Sequence, residues 1–281
     1  MLPQVLEILF PVMTSIMEHN IKKTFKIFLI TLFWLGIWEV SSLIVGLPLL
    51  FPSPIGVCIR LKELIVSKET NFFITILYSL GRVNLGIIIA IVSGFLTAVL
   101  CSFFHILYEI LSPLVTIIKS TPVASFILLL VIYLGNNTTP IIISALMVYP
   151  IVFANIYQGM KSVDTGLLEV CRLYNIPRRK MIKSLYVPTV APYFTSALLS
   201  SIGLGWKAGI AAEVLSTPLK SIGRAIFESK YNFEYEDLFA WTAVVIILSI
   251  LFEVILTKLL KKLLSKYISM PGGTDGNKKL N

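Results

Sequence analysis

Of 281 residues, 56% are hydrophobic and 14% charged, and the mean hydropathy is +0.87. Soluble domains carry about 25% charged residues, and several nearly uncharged runs approach the ~20 residues that cross a bilayer; this excludes a soluble enzyme and indicates an all-α polytopic membrane protein. Residues 87–92 and 244–248 lack the alternation of a transmembrane barrel, and the net charge of +9 reads as loop charge holding one side in the cytoplasm, with no nucleic-acid partner.

Hydrophobic runs predict six spans, at residues 27–51, 83–104, 110–134, 139–157, 191–215 and 238–260. Residues 1–26 read as a cytoplasmic N-terminal segment, 27–266 as the transmembrane domain and 267–281 as a disordered cytoplasmic tail rich in Gly and Lys. The first span is too long for the apolar core of a cleaved signal peptide and lacks a small-residue cleavage site, so it reads as an anchor. With both termini inside, fifteen Lys and Arg fall in cytoplasmic segments and seven in outer ones, Arg82 among the seven. That asymmetry sets the orientation as N-in, C-in. Cys58, Cys101 and Cys171 are far apart, and His19 and His105 have no ligand-spaced partners, so neither a metal site nor a redox motif is expected.

Between the fourth and fifth spans lies a polar, basic stretch, residues 164–192, which the charge asymmetry puts in the cytoplasm. Asp164 is a candidate N-cap. Leu167, Leu168, Cys171 and Tyr174 share one side of a helix over 164–174. Asn175 follows its last turn, where a left-handed residue is needed, and Pro177 stops that helix and suits the first turn of the next. Arg178 to Val187 would form the second helix, with Met181, Ile182 and Leu185 apolar and Arg179, Lys180 and Lys183 basic; Pro188 and Pro192 bracket the entry to the fifth span. Taken alone, these features equally suit an interfacial helix pair held by anionic membrane lipid.

The order Glu169-Val170-Cys171, Asn175, Leu185, Val187-Pro188 resembles the signature loop of ABC importer permeases: Glu-Ala-Ala, three residues, Gly, nine residues, Ile, one residue, Leu-Pro. The spacing is kept and the departures are conservative, with Asn for Gly keeping the turn chemistry; Cys for the second Ala is the change that alters packing against a partner. Phe51-Pro52-Ser53-Pro54, Ser79-Leu80-Gly81-Arg82-Val83 with Gly86, and Pro113 with Lys119-Ser120-Thr121-Pro122 extend the likeness. So do Tyr149-Pro150 with Gly159, and Trp206 with Ala212-Glu213 and Ile222-Gly223. The set is most similar to the nitrate, sulfonate and taurine branch, which includes thiamine-precursor permeases.

That resemblance implies a type I importer permease fold in the bacterial cell membrane and a second permease subunit, by the branch's habit a homodimer. It also implies cytoplasmic ATPase subunits that dock on loop 162–188, and an extracytoplasmic solute-binding protein. Glu169, Val170, Cys171, Tyr174, Asn175, Ile176, Pro177, Arg178 and Pro188 are then the coupling residues. The chain contains no G-x-x-x-x-G-K-[ST], so it carries no phosphate cradle of that kind. No cofactor of its own is expected; ATP and Mg belong to the partner ATPase.

In the fifth span Ser201, Gly205, Gly209 and Glu213 recur every four residues, a small-x-x-x-small pattern that lets membrane helices approach closely. Charges in spans are functional candidates: Glu39, Lys119, Lys207, Glu213 and Glu253 qualify. Lys119 is expected to snorkel to the cytoplasmic surface. Lys207 and Glu213 either pair or line the path, so Ser201, Gly205, Lys207, Gly209 and Glu213 are the candidate path residues, with helix packing the plainer reading. Two rivals are a secondary transporter, which would show broken helices in paired halves, and an intramembrane enzyme, which would place a His mid-span.

Overall fold

The computed structural model describes residues 25–26, 29–47, 50–67 and 71–268, and every regular element among them is helical. In chain order these are α1 (Leu29–Val45), α2 (Pro54–Val66), α3 (Phe72–Phe103), α4 (His105–Ser120), α5 (Val123–Leu134) and α6 (Thr139–Lys161). Then come α7 (Thr165–Leu173), α8 (Arg178–Met181), a π-helical turn (Ile182–Tyr186), α9 (Val187–Ser216), α10 (Ile222–Tyr231) and α11 (Tyr235–Ile268). Most of the proposed terminal segments, residues 1–24 and 269–281, lie outside the described residues.

Six spans are expected from the sequence. Among the described residues, four helices are long and apolar enough to cross a membrane: α3, α6, the run Arg178–Ser216 and Tyr235–Leu260. The pair α4 and α5 makes a fifth only as a broken span, bent by 104°. The bend has a local cause. Thr121 precedes Pro122, whose ring excludes the helical conformation at the residue before it, and Thr121 is extended at φ −81°, ψ 132°. α1 is shorter than these helices, and four residues of the expected first span, 27, 28, 48 and 49, are outside the described set.

Two boundaries shift. The second span begins at Phe72 rather than 83, because Arg82 is inside the helix and its charge is met there by Glu213. The fifth extends back to Arg178. Pro188 has no N–H to donate and its ring crowds the preceding turn; the wider π turn over Ile182–Tyr186 absorbs this, with Val187 N–H reaching back five residues to the Ile182 carbonyl. The Thr189 hydroxyl donates to Leu185 O at 2.8 Å.

The centre of the bundle is α3, α6 and α9. Ser79, Val83, Gly86, Ile87, Ala90, Gly94, Ala98 and Cys101 form the buried stripe of α3. Small residues bring the backbones together: the space a Cβ on Gly86 would need holds the backbone carbonyl of Ile141, and on Gly205 it holds Val148 and Ile87 side chains. Lipid tails give no hydrophobic drive between helices, so such close packing is what holds them. Trp206, 1% exposed, carries α9 onto α11: its ring lies 5.3 Å from Phe252 and its Nε1–H points to the Val245 carbonyl at 3.4 Å.

The Pro-Ser-Pro segment anchors α1 to α2. Trp38 Nε1–H donates to Pro52 O (3.1 Å) and Ser42 Oγ to Phe51 O (2.8 Å), while Ser53 caps α2 by accepting from Gly56 N–H (3.1 Å). At the same end Arg60 of α2 is hydrogen-bonded to both carboxylate oxygens of Asp237 at the start of α11, and to Glu63. The Asp237 bond, then the Glu63 bond, raises the Arg60 pKa above its ordinary value.

Candidate functional site

The loop between α6 and α9 folds as a small capped knob. Asp164 Oδ1 accepts from the N–H of Gly166 (2.7 Å) and Leu167 (3.3 Å), satisfying two of the orphan donors at the start of α7. At the other end Asn175 is left-handed, φ 48°. Its N–H bonds to Arg172 O (3.1 Å) and that of Ile176 reaches Cys171 O (2.9 Å), which is the paired closure of a Schellman cap. Pro177 then stands extended, φ −60°, ψ 141°, as N-cap of α8. Asn is tolerated here because its short polar side chain lessens the left-handed penalty.

The knob carries an apolar face with little to cover it. Leu173 and Tyr174 are each 78% exposed; Val170 and Leu167 are also exposed, while Leu168, Cys171 and Ile176 are half-buried. Glu169 is exposed and has no hydrogen bond or ion pair among the described residues. Pro177 and Arg178 are exposed as well, and Pro188, the second residue of α9, is half-buried. The stretch Glu169 to Arg178 is therefore one contiguous knob, with Pro188 set apart in α9.

The small-residue stripe of α9 faces inward. Ser201, Gly205, Gly209 and Glu213 are buried against α3 and α6; a Cβ on Gly209 would meet Ser144 and Val83. Ser201 Oγ is buried without a hydrogen-bond partner among the described residues. Lys207, in contrast, is exposed and pairs with no carboxylate among the described residues.

Glu213 pairs instead with Arg82. Its Oε1 lies 3.3 Å from Arg82 Nη1, and its Oε2 accepts from Ser79 Oγ (2.7 Å) and Gly223 N–H (3.3 Å). Ser79 Oγ in turn accepts from Ile222 N–H (2.9 Å), and Arg82 donates to the carbonyls of Leu219 and Lys220. The connection from α9 to α10 contains two left-handed residues, Thr217 (φ 46°) and Lys220 (φ 52°), and Arg82 holds it from the side of α3. Gly223 lets α10 lie on Glu213: a Cβ there would overlap the backbone of Glu213 and Val214. The sequence offered Ser79 with Arg82 and Glu213 with Gly223 as two motifs, but no spacing rule joins one motif to another more than a hundred residues away. The cavity between α4 and α6, lined by Tyr108, Lys119 and Gln158, likewise joins residues that no sequence spacing connects.

Residues 85–269 match the family described as binding-protein-dependent transport system inner membrane component. The formylaminopyrimidine transport permease protein ThiX of Halalkalibacterium halodurans is 26% identical over 65% of this chain and 74% of its own. The putative aliphatic sulfonates transport permease protein SsuC of Bacillus subtilis is 24% identical over 73% and 74%. The nitrate import permease protein NrtB of Synechococcus elongatus is 28% identical over 71% and 74%. The chain thus belongs to the family of binding-protein-dependent transport system inner membrane components, as a multi-pass ABC importer permease of the bacterial plasma membrane and of the branch in which these relatives stand.

Proposed function

We propose that the chain forms the translocation path for a small polar solute and takes its driving force from cytoplasmic ATPase subunits that grip the α7–α8 knob. The observation that carries this reading is the knob itself. It is capped at Asp164 and closed at Asn175, yet it presents Leu173 and Tyr174 to the outside. A rigid loop with an uncovered apolar face on a basic background is built for insertion into a protein groove. In this reading Glu169, Val170, Cys171, Tyr174, Asn175, Ile176, Pro177 and Arg178 make the contact, and Pro188 marks where the knob passes its motion to α9.

The remaining parts follow the same reading. Both chain ends are cytoplasmic, six spans include α1 and the bent α4–α5 pair, and a second permease copy completes the path. A solute-binding protein delivers solute at the α10 side, and ATP and Mg sit on the ATPase. Lys207 is the exposed path residue of α9, while Ser201, Gly205, Gly209 and Glu213 hold that helix against α3 and α6. The solute class is that of the relatives' names: an aliphatic sulfonate, nitrate or a formylaminopyrimidine.

Co-purification tests the knob. The partner ATPase should be retained by the wild type and lost, by about tenfold or more, from a Leu173→Asp/Tyr174→Asp variant, since the apolar anchors of an interface carry most of its energy. Equal retention by both proteins would contradict the proposal.

A further inference from the structure

The buried residues of α4 are Val115 and Ile118, and its polar side lines an open cavity against α6. Ile106, Ile110, Leu114 and Ile117 are 64%, 64%, 51% and 58% exposed and lie on one side at helical spacing. The opposite side, with Tyr108, Ser112, Thr116 and Lys119, turns toward Tyr157 and Gln158 of α6 across a cavity of about 300 Å3. For a helix in an apolar bilayer an apolar side outward is ordinary, but a polar side facing a cavity marks a place for water or a polar guest. The volume is at the small end of ligand pockets.

The lining fixes the sign of that guest. Lys119 supplies three N–H donors, Gln158 two, and the two tyrosines one hydroxyl each. No carboxylate lines the cavity, and Lys119 has no acidic partner among the described residues. Thr116 spends its proton on the Ser112 carbonyl (2.9 Å). Glu109 faces His105 (3.4 Å) at the first turn of the helix, away from the lining. Tyr108 and Tyr157 stack at 4.2 Å with their rings 10° from parallel, a flat and inflexible wall. Gln158 lies three residues before the end of α6, so the cavity is on the coupling-loop side of the bundle.

We propose that this cavity is a binding site for a small oxyanion group, a carboxylate, sulfonate or phosphate, with Lys119 as its charge partner and Gln158 as its amide donor. The group belongs either to a solute leaving the path or to a lipid headgroup. Only the first of these rests on the importer reading; anion binding itself does not.

The test uses the full-length permease in neutral detergent, freed of lipid and without ATPase, so that its outcome is independent of coupling. Thermal unfolding is followed against sodium sulfate, with sodium chloride at equal ionic strength as the control. Wild type and Lys119→Arg should show a saturable sulfate-dependent rise in Tm. Lys119→Gln should need about tenfold more sulfate, as expected for losing a charge-assisted hydrogen bond, and Gln158→Leu several-fold more. Short-chain phosphatidylglycerol that competes with sulfate in the wild type but not in Lys119→Gln assigns the site to a headgroup; absence of competition assigns it to a free anion. A sulfate midpoint shared by the wild type, Lys119→Gln and Gln158→Leu overturns the proposal, and if Lys119→Gln does not fold, an unchanged midpoint in Gln158→Leu overturns it alone.

Discussion

Glu213 is fully buried near the C-terminal end of α9 and takes hydrogen bonds from α3 and from the start of α10. Removing one partner of a buried ion pair leaves the other uncompensated, a loss of about 3 kcal/mol or more. Glu213→Ala should therefore lower the Tm of the purified permease clearly. Glu213→Gln, which can still accept from Ser79, should cost less. Equal Tm values for Glu213→Ala and wild type would show that the cluster is not a structural tie. The residue was visible in the sequence as a charge within a span, and its partner was not. Nearness in sequence favours Lys207, six positions earlier, whereas the fold brings Arg82 from α3. A charge counted as a loop cation thus became part of a helix, and the predicted start of the second span moved with it.

At the scale of elements, the knob was the most legible part. Its cap, its left-handed residue and its proline are local, and local chemistry is what a sequence displays: Asp164, Asn175 and Pro177 act within a few residues of themselves. The second helix of the loop was less so, because Pro188 suggested a break, and the π turn resolves the proline without one. The bend between α4 and α5 was written as Thr121-Pro122 yet hidden by continuous hydrophobicity on either side. Asn175 offers a prediction at this scale. Asn175→Gly should retain wild-type ATPase association and uptake, since glycine adopts φ 48° freely. Asn175→Val should strain the cap by about 1–2 kcal/mol and reduce both, as read from co-purified ATPase and from transport into proteoliposomes. Full activity in Asn175→Val would remove the cap from the mechanism.

Across the whole molecule, three helices packed through small residues, α3, α6 and α9, stand between the knob on one side and the Arg82–Glu213 cluster on the other, so α9 links the two directly. Arg60 ties α2 to Asp237 at the start of α11. Because the Arg60 pKa is raised on folding, its contribution is complete below the ordinary arginine value and lost only above the still higher folded one. Alkaline titration across the range in which the protein is handled should leave this tie intact, and an Arg60→Gln variant should melt lower than wild type by the same margin at neutral and alkaline pH. A margin that vanishes on the alkaline side would contradict that assignment.

In the proposed mechanism, solute movement through this chain is driven by ATP hydrolysed on a partner that holds the α7–α8 knob. Proteoliposomes containing the permease and its ATPase, with the binding protein outside, test it most directly. Uptake should require ATP inside and should be abolished by Leu173→Asp/Tyr174→Asp, with no response to a proton gradient alone. Uptake that proceeds without ATP under a proton gradient, and is indifferent to those substitutions, would contradict the account.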